Sequence, residues 1–582
     1  MKLRTLPGPS GHSAQAILTG SIAALAVFSA NPASANNTWD GGGGGGFLWS
    51  NNVNWGGDTA PGYGTLNFSG AVGNTNVMDA NYAMNQVQWN GGSAWVLNNS
   101  GGSVLSLFDN GGTQAKLESL GTGGVTINAP VTFAATAGNN WGEINAVSSS
   151  LTFGSAGTLN VTGSQVAGIR MFGGSGAIAT TFNNTVSASG KYFSTSAVGQ
   201  MVNLGGSFTA ANFYLMNTGT LNLNAGGNLN GTAVRLGGDF GTTGTQDLTR
   251  AATFNLTPAT GGLTFAGIVN SVSGNTSGAL VVNSQNTSGT NTLSNQIALD
   301  SALKITQAAG GTLAITQVKG GDNTTGTDIK SNLLTFTPAA TGAINHSGTI
   351  YNSTGSGSVT LNGAGTLTLS GANTYTGQTT VSSGILKVDN NGSTTAGKIT
   401  GSSAAGSITV NSTGTLLLAG TGSADRIGNT TGVTLAGGTL SLQGLSGSSE
   451  TMGLLTLSAN STLDFGTGNT NTLTFSGLSL GSFALTVSHW SGSFYTAGET
   501  TDHGPASQDR LLFGTLSLTG AQLAQISFYN DAGAFIGTGA QVSFGGTPEL
   551  VPVPEPTTIL GALALVGLVG WRERRRFLGK AG

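Results

Sequence analysis

Residues 358–389 read SVTLNGAGTLTLSGANTYTGQTTVSSGILKVD and contain the pattern that decides the fold. Apolar and polar residues alternate within them, as in Gly365-Thr366-Leu367-Thr368-Leu369, and a period of two is typical of β-strands with one buried face. Glycine, serine and asparagine separate the alternating runs, and these residues favour turns. The stretch therefore predicts short strands joined by tight corners.

The same unit, Gly-Thr-Leu-x-apolar, recurs elsewhere in the chain. Copies begin at residues 157, 219, 311, 365, 414 and 438, and a variant begins at Ser461. Thr415, Thr439 and Thr462 occupy equivalent places in three successive units, 24 and 23 residues apart. A period in the low twenties indicates one coil of a β-solenoid.

The composition agrees with such a fold. The chain has 582 residues, of which 98 are glycine, and only 7% are charged, against roughly 25% in an average protein. Equivalent positions on neighbouring coils lie about 4.8 Å apart, where two like charges repel by nearly 1 kcal/mol even in water. Threonine, asparagine and serine stack without that cost.

Charge and cysteine content exclude several classes of function. There is no cysteine, so no disulfide, thiolate metal site or cysteine nucleophile is possible. Residues 36–549 contain 12 basic and 20 acidic residues, a net charge of −8, so nucleic-acid binding is not expected.

The stretch at 358–389 resembles the autotransporter-associated β-strand repeat, through Leu367-Thr368-Leu369-Ser370-Gly371-Ala372-Asn373-Thr374-Tyr375-Thr376-Gly377. That resemblance implies the right-handed parallel β-helix of exported passenger domains. Autotransporters end in a membrane β-barrel, whereas this chain ends in a short apolar run, so self-translocation is not expected. We therefore expect an all-β, irregular solenoid, with a C-terminal β module and single apolar helices at both termini.

The N-terminal residues 1–35 predict a secretory signal peptide. Lys2 and Arg4 precede an apolar run at 17–29, and Ala33 and Ala35 fit the small-residue cleavage rule. The export signal peptidase is thus an expected partner.

Residues 551–582 resemble a PEP-CTERM sorting signal of exported bacterial proteins. Pro554-Glu555-Pro556 is followed by an apolar run at 557–571, and then by a basic cluster of Arg572, Arg574, Arg575 and Arg576. The resemblance implies handling by an exosortase-type membrane enzyme and an association with exopolysaccharide. The positive-inside rule places the arginines in the cytoplasm and the body outside the inner membrane. A plain tail anchor is the alternative.

Three regions are expected between these signals. Residues 36–110 are predicted to form a Trp/Gly-rich β cap, 111–450 the solenoid, and 451–550 a C-terminal β module. Trp39, Trp49 and Trp55 are interpreted as packing groups of the cap, with carbohydrate stacking as the alternative.

The sequence contains only weak matches to catalytic, phosphate-binding and calcium-binding motifs. Residues 392–398, GSTTAGK, match most of a phosphate-binding loop, but Ile399 stands where serine or threonine is needed. Residues 477–481, GLSLG, match a nucleophile elbow, with His489 and His503 as possible bases, but strand alternation continues beyond them. The cluster at 322–328 is a possible calcium loop, although a polar turn is the simpler interpretation.

We therefore expect no catalytic residues, no metal site and no cofactor. The expected function is that of an exported structural or adhesin-like protein of the cell surface or extracellular matrix. The alternative is a polysaccharide-active β-helix enzyme, which would need carboxylates and a basic residue in one groove.

Overall fold

The computed structural model describes residues 37–554, except for 41–47, 57–60, 70–74, 110–112, 135–139, 164–165, 174–177, 238–248, 318–325, 391–397, 400–406, 422–424, 446, 469, 503 and 506. In this part the chain forms short strands, with one 3-10 helix (Asn52–Asn54) and one short α-helix, α1 (Gly520–Leu523). The all-β prediction is confirmed. The two terminal segments predicted to be apolar helices, 17–29 and 557–571, lie outside the described residues. None of the helices in the described part has the length and apolar character to cross a bilayer.

The described strands share short lengths and alternating burial. In chain order they are β1 (Asn37–Trp39), β2 (Thr65–Phe68), β3 (Thr75–Met78), β4 (Tyr82–Met84), β5 (Gln86–Trp89), β6 (Trp95–Asn99), β7 (Leu105–Leu107), β8 (Lys116–Ser119), β9 (Val125–Ile127), β10 (Val131–Ala134), β11 (Asn140–Ala146), β12 (Leu151–Phe153), β13 (Thr158–Thr162), β14 (Val166–Gly173), β15 (Ala179–Phe182), β16 (Thr185–Thr195), β17 (Met201–Leu204), β18 (Ser207–Leu215), β19 (Thr220–Leu223), β20 (Asn228–Asn230), β21 (Ala233–Leu236), β22 (Ala252–Leu256), β23 (Thr264–Phe265), β24 (Val269–Ser271), β25 (Leu280–Ser284), β26 (Thr290–Leu293), β27 (Ile297–Leu299), β28 (Leu303–Gln307), β29 (Thr312–Ile315), β30 (Thr327–Asp328), β31 (Leu333–Pro338), β32 (Ala343–His346), β33 (Ile350–Tyr351), β34 (Ser358–Leu369), β35 (Ala372–Asn373), β36 (Thr379–Asp389), β37 (Lys398–Ile399), β38 (Ile408–Ala419), β39 (Val433–Ala436), β40 (Thr439–Gly444), β41 (Ser449–Ala459), β42 (Ser461–Asp464), β43 (Thr472–Ser479), β44 (Leu485–Ser488), β45 (Arg510–Phe513), β46 (Ile526–Tyr529), β47 (Phe535–Phe544) and β48 (Thr547–Val553).

Most of these strands stack into three parallel ladders. In addition, β35 pairs with β37, and the first halves of β41 and β43 continue in parallel to β45. Ladder 1 contains β1, β2, β5, β8, β11, β14, the second halves of β16 and β18, β21, β24, β27, β30 and β33. Ladder 2 contains β3, β6, β9, β12, β15, β17, β19, β22, β25, β28, β31, the first halves of β34, β36 and β38, β39, and the second halves of β41 and β43. Ladder 3 contains β4, β7, β10, β13, the first halves of β16 and β18, β20, β23, β26, β29, β32, the second halves of β34, β36 and β38, β40, β42, β44 and β46.

Each strand pairs with its equivalent one coil further along the chain. Leu367 pairs with Leu386, 19 residues on, whereas Val234 pairs with Val269, 35 residues on. Coil length therefore varies along the solenoid. Thr415 pairs with Thr439, and Thr439 with Thr462, so the period read from the sequence is the coil length of ladder 3. The fold is a three-sided β-solenoid.

The alternating sequence places apolar residues inside and hydroxyl or amide residues outside. Leu367 and Leu369 are fully buried, while Thr366 and Thr368 lie on the outer surface. At the corner between ladders 2 and 3, Gly384 has φ +77°, and a Cβ atom there would lie 2.1 Å from the carbonyl oxygen of Gly363. Only glycine fits that corner without strain.

The parallel ladders are already present in the N-terminal region, residues 36–110, that was predicted to form a cap. The ladders begin at Asn37 and cross residue 110 without interruption, since β5 pairs with β8 and β7 with β10. Trp39, Trp49 and Trp55 are fully buried in the first coils, with the Trp39 and Trp55 rings 5.0 Å apart. The carbohydrate-stacking alternative is wrong for these three rings, because none of them reaches the surface.

Residues 451–550, predicted to form a C-terminal β module, begin with further parallel coils and end in a hairpin. Thr462 pairs with Thr486, and the parallel pairing continues to β46, because the alternating pattern matches that of the preceding coils. After it, β47 and β48 form an antiparallel hairpin. The hairpin pairs with β46 and β45 and thereby occupies the last free edges of the solenoid, which would otherwise invite edge-to-edge association.

Candidate functional site

The residues predicted to carry the sorting and cleavage signals lie at or beyond the described ends. Pro554 is the last described residue and follows β48 directly. Outside the described residues lie Glu555, Pro556, the cytoplasmic cluster Arg572, Arg574, Arg575 and Arg576, and the cleavage-site residues Ala33 and Ala35. These assignments stay predictions.

The weak motifs lie partly outside the described residues, which leave out 392–397 of the phosphate-loop match, 322–325 of the possible calcium loop, and His503. Ser479 ends β43, whereas His489 follows β44 in ladder 3, where its Nδ1 lies 2.6 Å from the Asp464 carboxylate. Asp328 accepts hydrogen bonds from the backbone N–H and the hydroxyl of Ser353. In the described part of the chain, no group of three or more histidine, aspartate or glutamate side chains could hold a metal ion.

The charges that do converge are buried at the C-terminal end. Arg510 Nη1 donates to Asp502 at 2.8 Å and to both oxygens of Glu549 at 2.9 Å, and Nη2 donates to the carbonyl oxygen of Gly504. Burial raises the pKa of Glu549 to about 8, although Arg510 opposes this shift. Burial also acts to raise the pKa of Asp502, but hydrogen bonds from Gly504 and Arg510 bring it below its usual value.

A cavity of about 260 Å³ opens beside this cluster. Phe494, Glu499 and Asp502 are among its lining residues. Phe494 is 50% exposed, whereas Arg510 and Glu549 are almost inaccessible. The convergence thus lies mainly inside the protein, and only Glu499 and Asp502 bring carboxylates to the cavity.

A second buried pair lies on the ladder 1 side of the solenoid. Arg426 Nη1 is 3.8 Å from a carboxylate oxygen of Glu450, and that carboxylate accepts the backbone N–H groups of Arg426 and Ile427. Burial raises the pKa of Glu450 to about 7. Both side chains are inaccessible to solvent. The Glu450 carboxylate therefore satisfies the backbone N–H groups of Arg426 and Ile427, where Ile427 forms an isolated β-bridge to Ile399.

The outer face of ladder 2 displays two long columns of uncharged polar groups. In the amide column, Asn222 donates to Asn203 at 2.7 Å, Asn255 to Asn222 at 2.7 Å, and Asn283 to Asn255 at 3.0 Å. The threonine column is defined by residues in register on successive coils, namely Thr335, Thr360, Thr380, Thr409, Thr434 and Thr456. These columns confirm that uncharged polar groups stack from coil to coil.

The outer face of ladder 1 is different, and we call one part of it the aromatic–arginine strip. It consists of Trp141, Arg170, Tyr192, Tyr214 and Arg235, all half-buried. The Arg170 guanidinium lies 4.7 Å from the centre of the Trp141 ring, and the Arg235 guanidinium 5.5 Å from that of Tyr214. The Tyr192 and Tyr214 rings are 6.1 Å apart, edge to face.

Sequence reasoning missed this strip because its members are 20 or more residues apart. A signal was present in the charge distribution. Residues 116–235 contain four basic residues, Lys116, Arg170, Lys191 and Arg235, and two acidic residues, Glu118 and Glu143, a net charge of +2. The rest of residues 36–549 contains eight basic and 18 acidic residues, a net charge of −10.

Comparison with known proteins supports the repeat alone. Residues 359–388 match the family model of the passenger-associated transport repeat. They cover most of β34, β35 and β36, which confirms the autotransporter-associated repeat predicted there. No curated protein and no solved structure matches the chain.

Proposed function

We propose that this chain is an exported structural or adhesin-like protein of the cell surface or extracellular matrix, built on a right-handed β-solenoid. The observation that carries the proposal is the stack of uncharged polar columns on a stiff parallel ladder, above all the six-residue threonine column. Right-handedness is what the resemblance to the autotransporter-associated repeat implies. The passenger-associated repeat supports a secreted or surface-exposed location.

Sorting is proposed to depend on the two terminal signals. The signal peptide would be removed near Ala35, and Pro554-Glu555-Pro556 would direct the chain to an exosortase-type enzyme. The protein would be held in the inner membrane only in transit, before it reaches the surface or the matrix. Exopolysaccharide is the proposed partner there, and the proposed role needs no catalytic residue, metal or cofactor.

The test is fractionation of the native cells, with mass spectrometry of the terminal peptides. We expect surface or matrix material that begins near Asn36 and lacks the residues after Pro556. A triple variant, Pro554→Ala/Glu555→Ala/Pro556→Ala, should stay in the inner membrane. The matched control, Thr557→Ala/Thr558→Ala, changes neighbouring residues and should be sorted normally. An intact tail on wild-type protein in the inner membrane would refute the sorting proposal.

One observation favours the alternative of a polysaccharide-active enzyme, namely the cavity beside Glu499 and Asp502. Glycosidases use two carboxylates on either side of the scissile bond. The assay is release of reducing ends or unsaturated products from the cell's own polysaccharide, comparing wild type with Glu499→Gln. Turnover that the variant abolishes would establish the enzyme and overturn the structural proposal.

A further inference from the structure

We propose that the aromatic–arginine strip is the binding site for an anionic polysaccharide whose chain runs along the solenoid axis. The inference rests on the proposed function, because it names the ligand class that a surface or matrix solenoid would hold. Its residues lie on five successive coils of ladder 1, and they are the place where aromatic rings and arginines meet on the outer surface.

The two arginines are positioned to receive an acidic group. Each guanidinium lies over an aromatic ring, and Arg235 Nε also donates to Asn212 Oδ1 at 2.9 Å. A stacked guanidinium keeps its N–H edge available for bidentate hydrogen bonds to a carboxylate or sulfate. Neither Arg170 nor Arg235 forms an ion pair with any carboxylate among the residues that the structure describes.

The neighbouring charges leave the face positive. Glu143 stands one coil before Arg170 in the same column, but it is neutralised by Lys116 at 3.0 Å. Glu118, two residues after Lys116 in β8, accepts hydrogen bonds from Gln88 and Asn145. An acidic ligand therefore meets attraction at this face, whereas the remainder of residues 36–549 carries a net charge of −10 and repels it.

The aromatic rings suit sugars. Trp141, Gly168, Tyr192 and Asn212 are in register on successive coils, followed by Ala233 in the coil of Arg235. Gly168 allows the indole to lie across the next coil, since a Cβ atom there would come within 2.9 Å of the Trp141 ring. The apolar faces of pyranose rings pack on such flat, amphipathic side chains.

The length and charge density of the strip select a polysaccharide over a nucleic acid. Four coil steps from Trp141 to Arg235 span about 19 Å, and the strip offers two arginines over that length. Each strand of duplex DNA presents a phosphate about every 3.4 Å of helix axis, which is too dense for two arginines on an otherwise acidic protein. A polyuronate, with one carboxylate for each sugar ring, is sparser.

The experiment is binding of the exported full-length protein to polygalacturonate, with dextran as the uncharged probe and oligo(dT) as the nucleic-acid probe. Wild type should bind polygalacturonate with salt-dependent affinity and dextran weakly. Arg170→Gln/Arg235→Gln should lower the affinity by at least about tenfold, the loss expected for one charge-assisted hydrogen bond, and should reduce the salt dependence. Trp141→Ala should weaken binding with the salt dependence unchanged.

The matched control is Lys304→Gln/Lys398→Gln, which removes the same charge from positions outside the strip. It should bind as wild type does. An equal loss in this control, or no loss in the arginine variant while its thermal unfolding is unchanged, would overturn the proposal. Binding of oligo(dT) as tightly as polygalacturonate would replace the polysaccharide with a nucleic acid.

Fractionation of cells that carry the arginine variant separates this inference from the proposed function. A protein that reaches the surface but shows no strip-dependent binding contradicts the inference alone. A wild-type protein held intact in the inner membrane contradicts the proposed function, whatever polygalacturonate binding shows.

Discussion

Placing two glutamates on neighbouring coils of the threonine column tests why this chain is almost uncharged. Thr434 and Thr456 are in register, and both side chains lie on the outer face of ladder 2. The coils are about 4.8 Å apart. Two carboxylates about 5 Å apart repel by about 0.8 kcal/mol at the dielectric constant of water, and by about 3 kcal/mol at the effective value of 20 near a protein surface.

We therefore expect Thr434→Glu/Thr456→Glu to be less stable than the two single variants predict, by about 1–3 kcal/mol. Because solenoid coils open locally, the assay is amide hydrogen exchange of β39 and β41, which reports local opening. The coupling should shrink in 1 M salt, where the Debye length is about 3 Å. It should vanish below about pH 4, where glutamate is protonated.

Two control pairs of substitutions test whether the coupling comes from repulsion between adjacent charges. Thr360 stands three coils from Thr434 in the same column, a distance of about 14 Å, so Thr360→Glu/Thr434→Glu should show almost no coupling at physiological salt. Thr434→Glu/Thr456→Lys should show coupling of the opposite sign. If the adjacent pair couples no more strongly than the separated pair, then stacking repulsion does not explain the composition.

Three further changes have defined outcomes. Glu549 has a pKa of about 8 in the folded protein against a usual value of 4.5, so the free energy of unfolding should fall as the pH rises from about 4.5 to about 8. Denaturation measured across this pH range should show that Glu549→Gln removes this component of the fall. An unchanged pH dependence in the variant would contradict the assignment to Glu549. Trp55→Ala empties a fully buried site in the first coils and should cost about 3–5 kcal/mol, measured by urea unfolding, with loss of exchange protection in β1 and β2 before later coils. Gly384 has a φ of +77° and lies close to Gly363, whereas Gly468 has a φ of +68° in open space. Gly384→Ala should therefore lower the unfolding temperature well below that of Gly468→Ala. Equal unfolding temperatures for the two variants would mean that local movement relieves the contact with Gly363.

Much of the fold follows from local pattern. The alternation in Thr366-Leu367-Thr368-Leu369 dictates which side chains are buried, since a strand turns successive residues to opposite faces. The spacing of Thr415, Thr439 and Thr462 equals the registers observed in ladder 3. A repeated unit can therefore be read as a repeated coil without knowledge of the structure.

The ends of the solenoid could not be read in this way. The tryptophans near the N-terminus were expected in a separate cap, but they lie within the first coils. Their rings fill the interior there, as leucine and phenylalanine side chains do in later coils. Composition marks a region as unusual, but it does not distinguish an unusual coil from a different domain.

By itself, the sequence determined the strand period, the coil length in the repeats and the uncharged outer columns, because each depends on residues close together in the chain. Only the tertiary structure decided that three faces exist, that one hairpin closes the last coil, and that Trp141, Arg170, Tyr192, Tyr214 and Arg235 share one surface. The physical reason is that coil lengths vary from 19 residues between Leu367 and Leu386 to 41 between Leu485 and Ile526. Backbone hydrogen bonding in register determines which residues are neighbours on successive coils. Because the loops differ in length, that register cannot be predicted from spacing in the sequence.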